Sequence, residues 1–177
     1  MPAVYFKTKV PHRVLEHNAA HILYDTHCKK SDELCGLCLR PAPACIFFLK
    51  KSQSSDQVDH QRTTCANPLK FSYSTAELST SSSPCSNVPI RCPICIKTSP
   101  AAPAHWRYNL EYHIKARHPG EDPSRYKHLW AIGEAETLQL KTIWIERHKK
   151  KRSRKSRKGG LPPLIISKAH SSRLAFR

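Results

Sequence analysis

The chain has 177 residues and 39% hydrophobic residues, which leaves room for one medium domain or two small ones and excludes a large multidomain enzyme with a single extensive core. Its 30 Lys/Arg against 13 Asp/Glu give a formal charge of +17, an imbalance that favours polyanionic partners such as nucleic acid or anionic lipid and leaves acidic proteins open. No apolar run approaches the roughly 18–20 residues that span a bilayer, and the start of the sequence lacks a signal peptide's apolar core, so a soluble, unsecreted protein is expected and its eight cysteines read as metal ligands before disulfides.

In chain order, Leu15, Ala19, Ile22 and Leu23 recur at helical spacing between Pro11 and Asp25 and predict a short amphipathic helix over 12–24, within a helical or irregular segment 1–30. Segment 31–87 is rich in cysteine. Its run 44–49 predicts a buried strand and the alternation over 69–74 a half-buried one, able to pair with each other. Residues 50–64 are polar without rhythm, and 79–84 read as a turn or linker. Cys35-Gly36-Leu37-Cys38 is a C-x2-C knuckle that brings two sulfurs to one ion, and a tetrahedral zinc site needs two more ligands. The expected set is Cys35, Cys38, Cys65 and Cys85, because Cys45 begins an apolar run and reads as a buried thiol whereas Cys65 and Cys85 stand in turn-like sequence. Cys45, Cys28 and His60 are the substitutes, and isolated reduced thiols or one adventitious disulfide are the bland alternative. A cross-braced RING pattern fits badly, since no cysteine pair follows Cys95.

Segment 88–122 carries the sharpest pattern: Cys92, Cys95, His113 and His118 spell C-x2-C-x17-H-x4-H. Two thiolates from a tight turn and two imidazoles from one helix suit tetrahedral zinc. Histidines five apart sit about 140° out of line at 3.6 residues per turn, so the end of that helix must loosen. His105 is a rival ligand without a partner at motif spacing, and Trp106, Tyr108 and Leu110 read as the apolar filling of a small domain. Leu110-x2-His113, the basic positions between the histidines, and His118-Pro119-Gly120-Glu121-Asp122-Pro123 resemble the helix and linker of C2H2 zinc fingers, the BED-type variety included. The wider arrangement of a Cys-rich module, a C-P-x-C finger and a Trp-containing helix is similar to small zinc-finger proteins of mushroom-forming fungi. The cysteine-to-histidine gap exceeds the usual twelve or so of that family, and Asp122 stands where its linker carries lysine. The resemblance implies a ββα-like finger with its helix in the major groove, Trp106, Asn109 and Tyr112 at the base-facing positions and Asn109 as the adenine reader. Arg107, Lys115 and Arg117 would then be phosphate contacts.

Beyond the finger, segment 123–150 predicts two helices, one capped by Asp122 with Pro123 at its first position and ending near Gly133, the other from about 134 to 150. The latter offers Leu138, Leu140, Ile143, Trp144 and Ile145 as a broad apolar surface. Segment 149–177 is a basic tail, expected to be largely disordered. Lys149, Lys150, Lys151, Arg152, Arg154, Lys155, Arg157 and Lys158 fall within ten residues, a nuclear localisation signal and phosphate-binding arm by composition. The expected fold class is small α+β zinc-stabilised modules: a Cys-rich β module, then a ββα-like C2H2 finger with C-terminal helices and a disordered basic tail. The expected function is that of a nuclear protein holding one or two Zn2+ and binding nucleic acid, DNA in preference to RNA, as a transcription regulator or transposon-derived protein. The alternative is an adaptor that docks a protein partner through the 123–150 helices. A membrane partner is not expected. Nor is catalysis, because a zinc with four protein ligands has no open position for water.

Overall fold

The computed structural model describes residues 10–28, 32–52, 56–67 and 69–147. Pro11, whose missing N–H costs nothing in a first turn, opens helix α1 (Pro11–Tyr24). Leu15, Ala19 and Ile22 form its buried stripe together with Val14, Asn18 and Ala20. Helix α5 (Glu134–Glu146) packs against α1 although about 110 residues of sequence separate them. Leu140 is fully buried there, Trp144 meets the His21 ring edge-on at 5.0 Å, and Tyr24 donates its hydroxyl hydrogen to the Thr137 carbonyl at 2.8 Å. Only part of the apolar surface expected of α5 is used: Leu138 and Ile145 are 67% and 59% exposed.

Between these helices in the chain come two small antiparallel sheets. In the first, β1 (Leu49–Lys51) pairs with β2 (Asp56–Val58). In the second, β3 (Pro89–Arg91) pairs with β4 (Ala104–Trp106), Ile90 standing opposite His105. Phe47 bridges the sheets: its carbonyl accepts the Ala104 amide at 2.8 Å, and its ring packs edge-on against Trp106 at 5.0 Å. Two single-turn helices, α2 (Tyr73–Ala76) and α3 (Cys95–Thr98), and a 3-10 turn (Arg107–Asn109) lead to α4 (Leu110–Arg117). A longer 3-10 segment (Pro123–Leu129) follows, its first amides capped by Asp122, which accepts from Ser124 N at 2.9 Å.

One hydrophobic core, containing Leu15, Leu37, Phe47, Val58, Tyr73, Val88, Trp106 and Leu140, joins α1, α2, α5 and both sheets. A smaller cluster of Cys92, Leu110 and Ile114, covered by Tyr126, Leu129 and Trp130, sits between α4 and the 3-10 segment. The protein is thus a small α+β fold. No described helix is long and apolar enough to cross a membrane.

The sequence-based strands need correction. The run 44–49 contributes only Leu49 to β1, and its partner is 56–58, inside the stretch that looked featureless. Residues 69–74 form no strand; Tyr73 instead begins α2, where its buried hydroxyl donates to the Pro89 carbonyl at 2.9 Å. Alternating Leu69, Phe71 and Tyr73 signalled a half-buried edge, but packing onto β3 decides the backbone. Gly133 does not close the 3-10 segment, which ends at Trp130; it caps the start of α5.

Candidate metal centres

Both ends of the β1–β2 hairpin converge on the first knuckle. Outside the strands proper, Thr64 N donates to the Ile46 carbonyl at 3.0 Å and Ile46 N to Thr64 Oγ1 at 2.9 Å, which brings Cys45 and Cys65 side by side. Against them sits the turn 35–38, closed by Leu39 N donating to the Cys35 carbonyl and Leu37 N to Cys35 Sγ. The sulfurs of Cys35, Cys38, Cys45 and Cys65 all lie within 4.8 Å of one another. Cys35 to Cys65 and Cys38 to Cys65 measure 3.8 Å, Cys38 to Cys45 3.3 Å.

The second centre has the spacing read from the sequence. Cys95 Sγ lies 3.3 Å from His113 Nε2 and 3.2 Å from His118 Nε2, and Cys92 Sγ lies 3.6 Å from His118 Nε2. His118 is the residue that closes α4, with φ −130° and ψ 60°, so its departure from helical geometry swings the second imidazole into line with the first. A tetrahedral ion bound at ordinary Zn–S and Zn–N lengths spaces its sulfurs by about 3.8 Å and sulfur from nitrogen by about 3.6 Å. The sulfur–sulfur and sulfur–nitrogen distances above fall within about 0.5 Å of those edges, the other donor pairs lie within 4.8 Å, and a disulfide would need sulfurs at about 2.05 Å. Both clusters could therefore hold a metal ion.

Protons are shared unevenly within the two tetrads. In the four-cysteine cluster, hydrogen bonds from Cys35 and Cys65 hold the Cys38 thiol low, whereas hydrogen bonds with Cys38 and Cys65 raise Cys35, and burial pushes Cys45 up to about 12 and, in the other tetrad, Cys95 up to about 11. Burial drives Cys92 upward, but hydrogen bonding from His113 outweighs it and leaves the thiol below its usual value. Burial likewise opposes protonation of His113, and Cys92 and Glu33 reverse that, raising it to about 9. Glu33 is pulled down to about 2 against its burial by the hydrogen bond from His105 and by the His113 ring 3.5 Å away.

Two further groups could take a cation among the described residues: His21, Asp25 and Cys28 at the C-terminal end of α1, and Glu33 and His105 with His113 of the second tetrad. His105 therefore stays out of the tetrad but touches it, its ring stacked on His113 at 3.5 Å.

Several expected site residues lie elsewhere. Cys85 is 2% exposed in the main core, away from the four sulfurs, and burial pushes its thiol up to about 12; Cys45 holds the place assigned to it. The apolar run after Cys45 masked this role. What marks it is position, since Cys45 and Cys65 bracket the polar stretch that became a hairpin. Asn109 is 5% exposed and donates its side-chain N–H to the Leu34 carbonyl at 2.7 Å, and Trp106 is 4% exposed, so two of the three base-facing positions point into the protein. The segment 32–36 covers them, a partner 75 residues upstream that no local motif announces. Arg107 is also committed, donating to the Glu77 carbonyl at 3.4 Å with the Glu77 carboxylate 3.6 Å away. Tyr112 is half-buried, while Lys115, paired with Glu111 at 2.6 Å, and Arg117 are exposed. The basic run Lys149 to Lys158 lies outside the described residues. Those that are described carry 15 Lys/Arg and all 13 Asp/Glu, nearly balanced. Comparison with family models, with curated proteins and with solved structures finds no match for the chain.

Proposed function

We infer that the protein is a two-zinc scaffold that delivers a basic arm to nucleic acid in the nucleus, and that its finger braces the fold and reads no bases. The observation that carries this reading is the pair of tetrads, four cysteines in one and two cysteines with two histidines in the other, each with its four donor atoms within 4.8 Å of one another. Closed sites of this kind are scaffolds: Zn2+ would be gripped by Cys35, Cys38, Cys45 and Cys65 and by Cys92, Cys95, His113 and His118, and would supply folding energy. Burial of Trp106 and Asn109 takes two of the three base-facing positions out of reach, and Lys115 and Arg117 on α4 would serve as auxiliary phosphate contacts. With the described residues nearly neutral, the attraction for a polyanion resides in the rest of the sequence, above all in 149–158. The same run would serve for nuclear import.

Elemental analysis should return two zinc per chain, and binding to random-sequence DNA should weaken with salt. Eight phosphate contacts would set a log–log slope near −7, from roughly −0.9 per contact. Deleting 149–158 should flatten that slope, and Asn109→Ala should leave sequence preference unchanged. One zinc or none, or a specific site lost with Asn109, would overturn the reading. A second reading, a zinc-dependent adaptor for a protein partner, is favoured by one observation: exposed Leu138 and Ile145 lie seven residues apart along one side of α5. Substituting both by Ser with unchanged binding to every partner of the full chain would dismiss it.

A further inference from the structure

We propose that Glu33 is a positioning residue for the finger's metal centre and couples it to the four-cysteine centre, so that metal bound to the first knuckle tightens metal binding at the second site. This rests on both tetrads binding metal. His113 presents its two ring nitrogens to different partners: Nε2 faces Cys95 Sγ at 3.3 Å, and the buried Nδ1, which has no hydrogen-bond partner, faces Glu33 Oε1 at ion-pair distance, 3.5 Å. A ligating imidazole needs its bare lone pair on the metal side and its N–H held on the other, and a carboxylate at that outer nitrogen fixes tautomer and orientation and makes the ligand more basic. Glu33 occupies that outer place. Its other oxygen, Oε2, accepts from His105 Nδ1 at 2.9 Å, and the His105 ring stacks on His113, so the carboxylate is itself held on two sides.

Glu33 does not belong to the finger. It lies two residues before Cys35, on a segment shaped by the first knuckle: Cys35 N donates to the Arg40 carbonyl at 2.9 Å and Ala42 N to the Asp32 carbonyl at 3.0 Å. The segment is pinned to the finger at the Leu34 carbonyl, which accepts from Asn109, and at Gly36, which lies against Trp106. The Glu33 backbone has φ 42°, a left-handed conformation that a side chain bearing a β-carbon disfavours and that persists only when its surroundings impose it. An ion holding Cys35 and Cys38 together would stiffen this turn and keep Glu33 on His113. Binding linkage then requires the reverse influence by the same factor.

The test uses the full chain and Co2+ as the probe, because all-thiolate cobalt centres and those with two thiolates and two imidazoles have distinguishable absorption spectra. Chelator competition, read at each set of bands, gives the affinity of each centre. Glu33→Ala should weaken the finger centre by about 10–100-fold, the range for removal of a ligand's outer partner. Glu33→Gln, which still accepts a hydrogen bond, should recover part of the loss, and the bare affinity of the four-cysteine centre, measured in a His113→Ala background, should stay within about threefold on the scale of that change. Emptying the four-cysteine centre with Cys38→Ser should weaken the other by up to the same factor, and should add little in a chain already carrying Glu33→Ala. Equal weakening of both bare centres by Glu33→Ala, or none, would overturn the proposal, as would an undiminished effect of Cys38→Ser in the Glu33→Ala chain. Absence of cobalt from both centres of the wild-type chain would instead sink the metal reading on which it stands. If Cys38→Ser fails to fold, the Ala and Gln variants at Glu33 still decide.

Discussion

Gly36→Ala tests how tightly the first knuckle is fitted to the finger. A β-carbon at this position would lie 2.5 Å from Trp106 Cε3, 2.6 Å from Cζ3 and 2.8 Å from Cδ2. To restore ordinary contact at 3.4 Å, ring and turn must separate by about 0.9 Å, and neither side gives easily. The Gly36 carbonyl accepts from Asn18 Nδ2 at 2.9 Å, so the turn is tied to α1. Trp106 is 4% exposed, paired opposite Pro89 in the sheet, with Phe47 against its ring. Overpacking of a core usually costs about 1–3 kcal/mol, and a rigid indole between fixed neighbours places this case at about 3 kcal/mol. Urea unfolding of the metal-loaded protein, followed by circular dichroism, should show a lower midpoint with an unchanged slope. Trp106→Leu costs stability by itself, yet in the Gly36→Ala background it should cost at least about 1 kcal/mol less, because the ring that clashed is gone. A loss below about 0.5 kcal/mol for Gly36→Ala, or strict additivity of the two changes, would falsify the close fit.

Three other perturbations have definite outcomes. Cys45→Ser should remove one equivalent of metal, whereas Cys85→Ser should keep full stoichiometry and lower stability by about 1 kcal/mol; plasma emission counting of zinc in both variants decides which cysteine is the fourth ligand. Glu136, 5% exposed, accepts from Ser86 N at 2.6 Å, from Ser86 Oγ at 3.1 Å and from the Tyr108 hydroxyl, so Glu136→Ala should cost about 3 kcal/mol by orphaning three buried donors, and Glu136→Gln measurably less, by thermal or urea unfolding. His17 is held down to about 4, by burial first and then by the charge of His21, below its unfolded value of 6.5. The unfolded chain therefore binds the proton first, and stability intact above pH 6.5 falls as the pH drops towards 4. With the ring's partial exposure allowed for, His17→Gln should lose about 1 kcal/mol less than wild type between about pH 7 and pH 5, and parallel losses would refute the assignment.

What could be read in advance followed the range of the interactions. The Cys92, Cys95, His113 and His118 spacing is a local pattern that a turn and one helix complete, and α1 announces itself through Pro11 and the stripe of Leu15, Ala19 and Ile22. The four-cysteine set depends on a hairpin whose strands are three residues each, too short and too polar at Lys50, Lys51 and Gln57 to leave a periodic signal. Asn109 was read by the register of a free-standing finger helix, and the decisive fact about it, the Leu34 carbonyl, belongs to another segment. Tyr73 failed for the same reason, since its hydroxyl partner is the carbonyl of Pro89. Tertiary neighbours overrode local preference at each of these positions.

The pairing of α1 with α5 sets a schedule for biosynthesis. Some 110 residues separate Tyr24 from Glu134, so at roughly 5–20 residues per second the earlier helix emerges from the ribosome about 5–20 seconds before its mate. Throughout that interval Leu15 and Ala19, which share the core with Leu140, have no α5 beside them. A nascent chain stalled before residue 134 should therefore engage hydrophobic-binding chaperones, and release from them should coincide with emergence of Leu140.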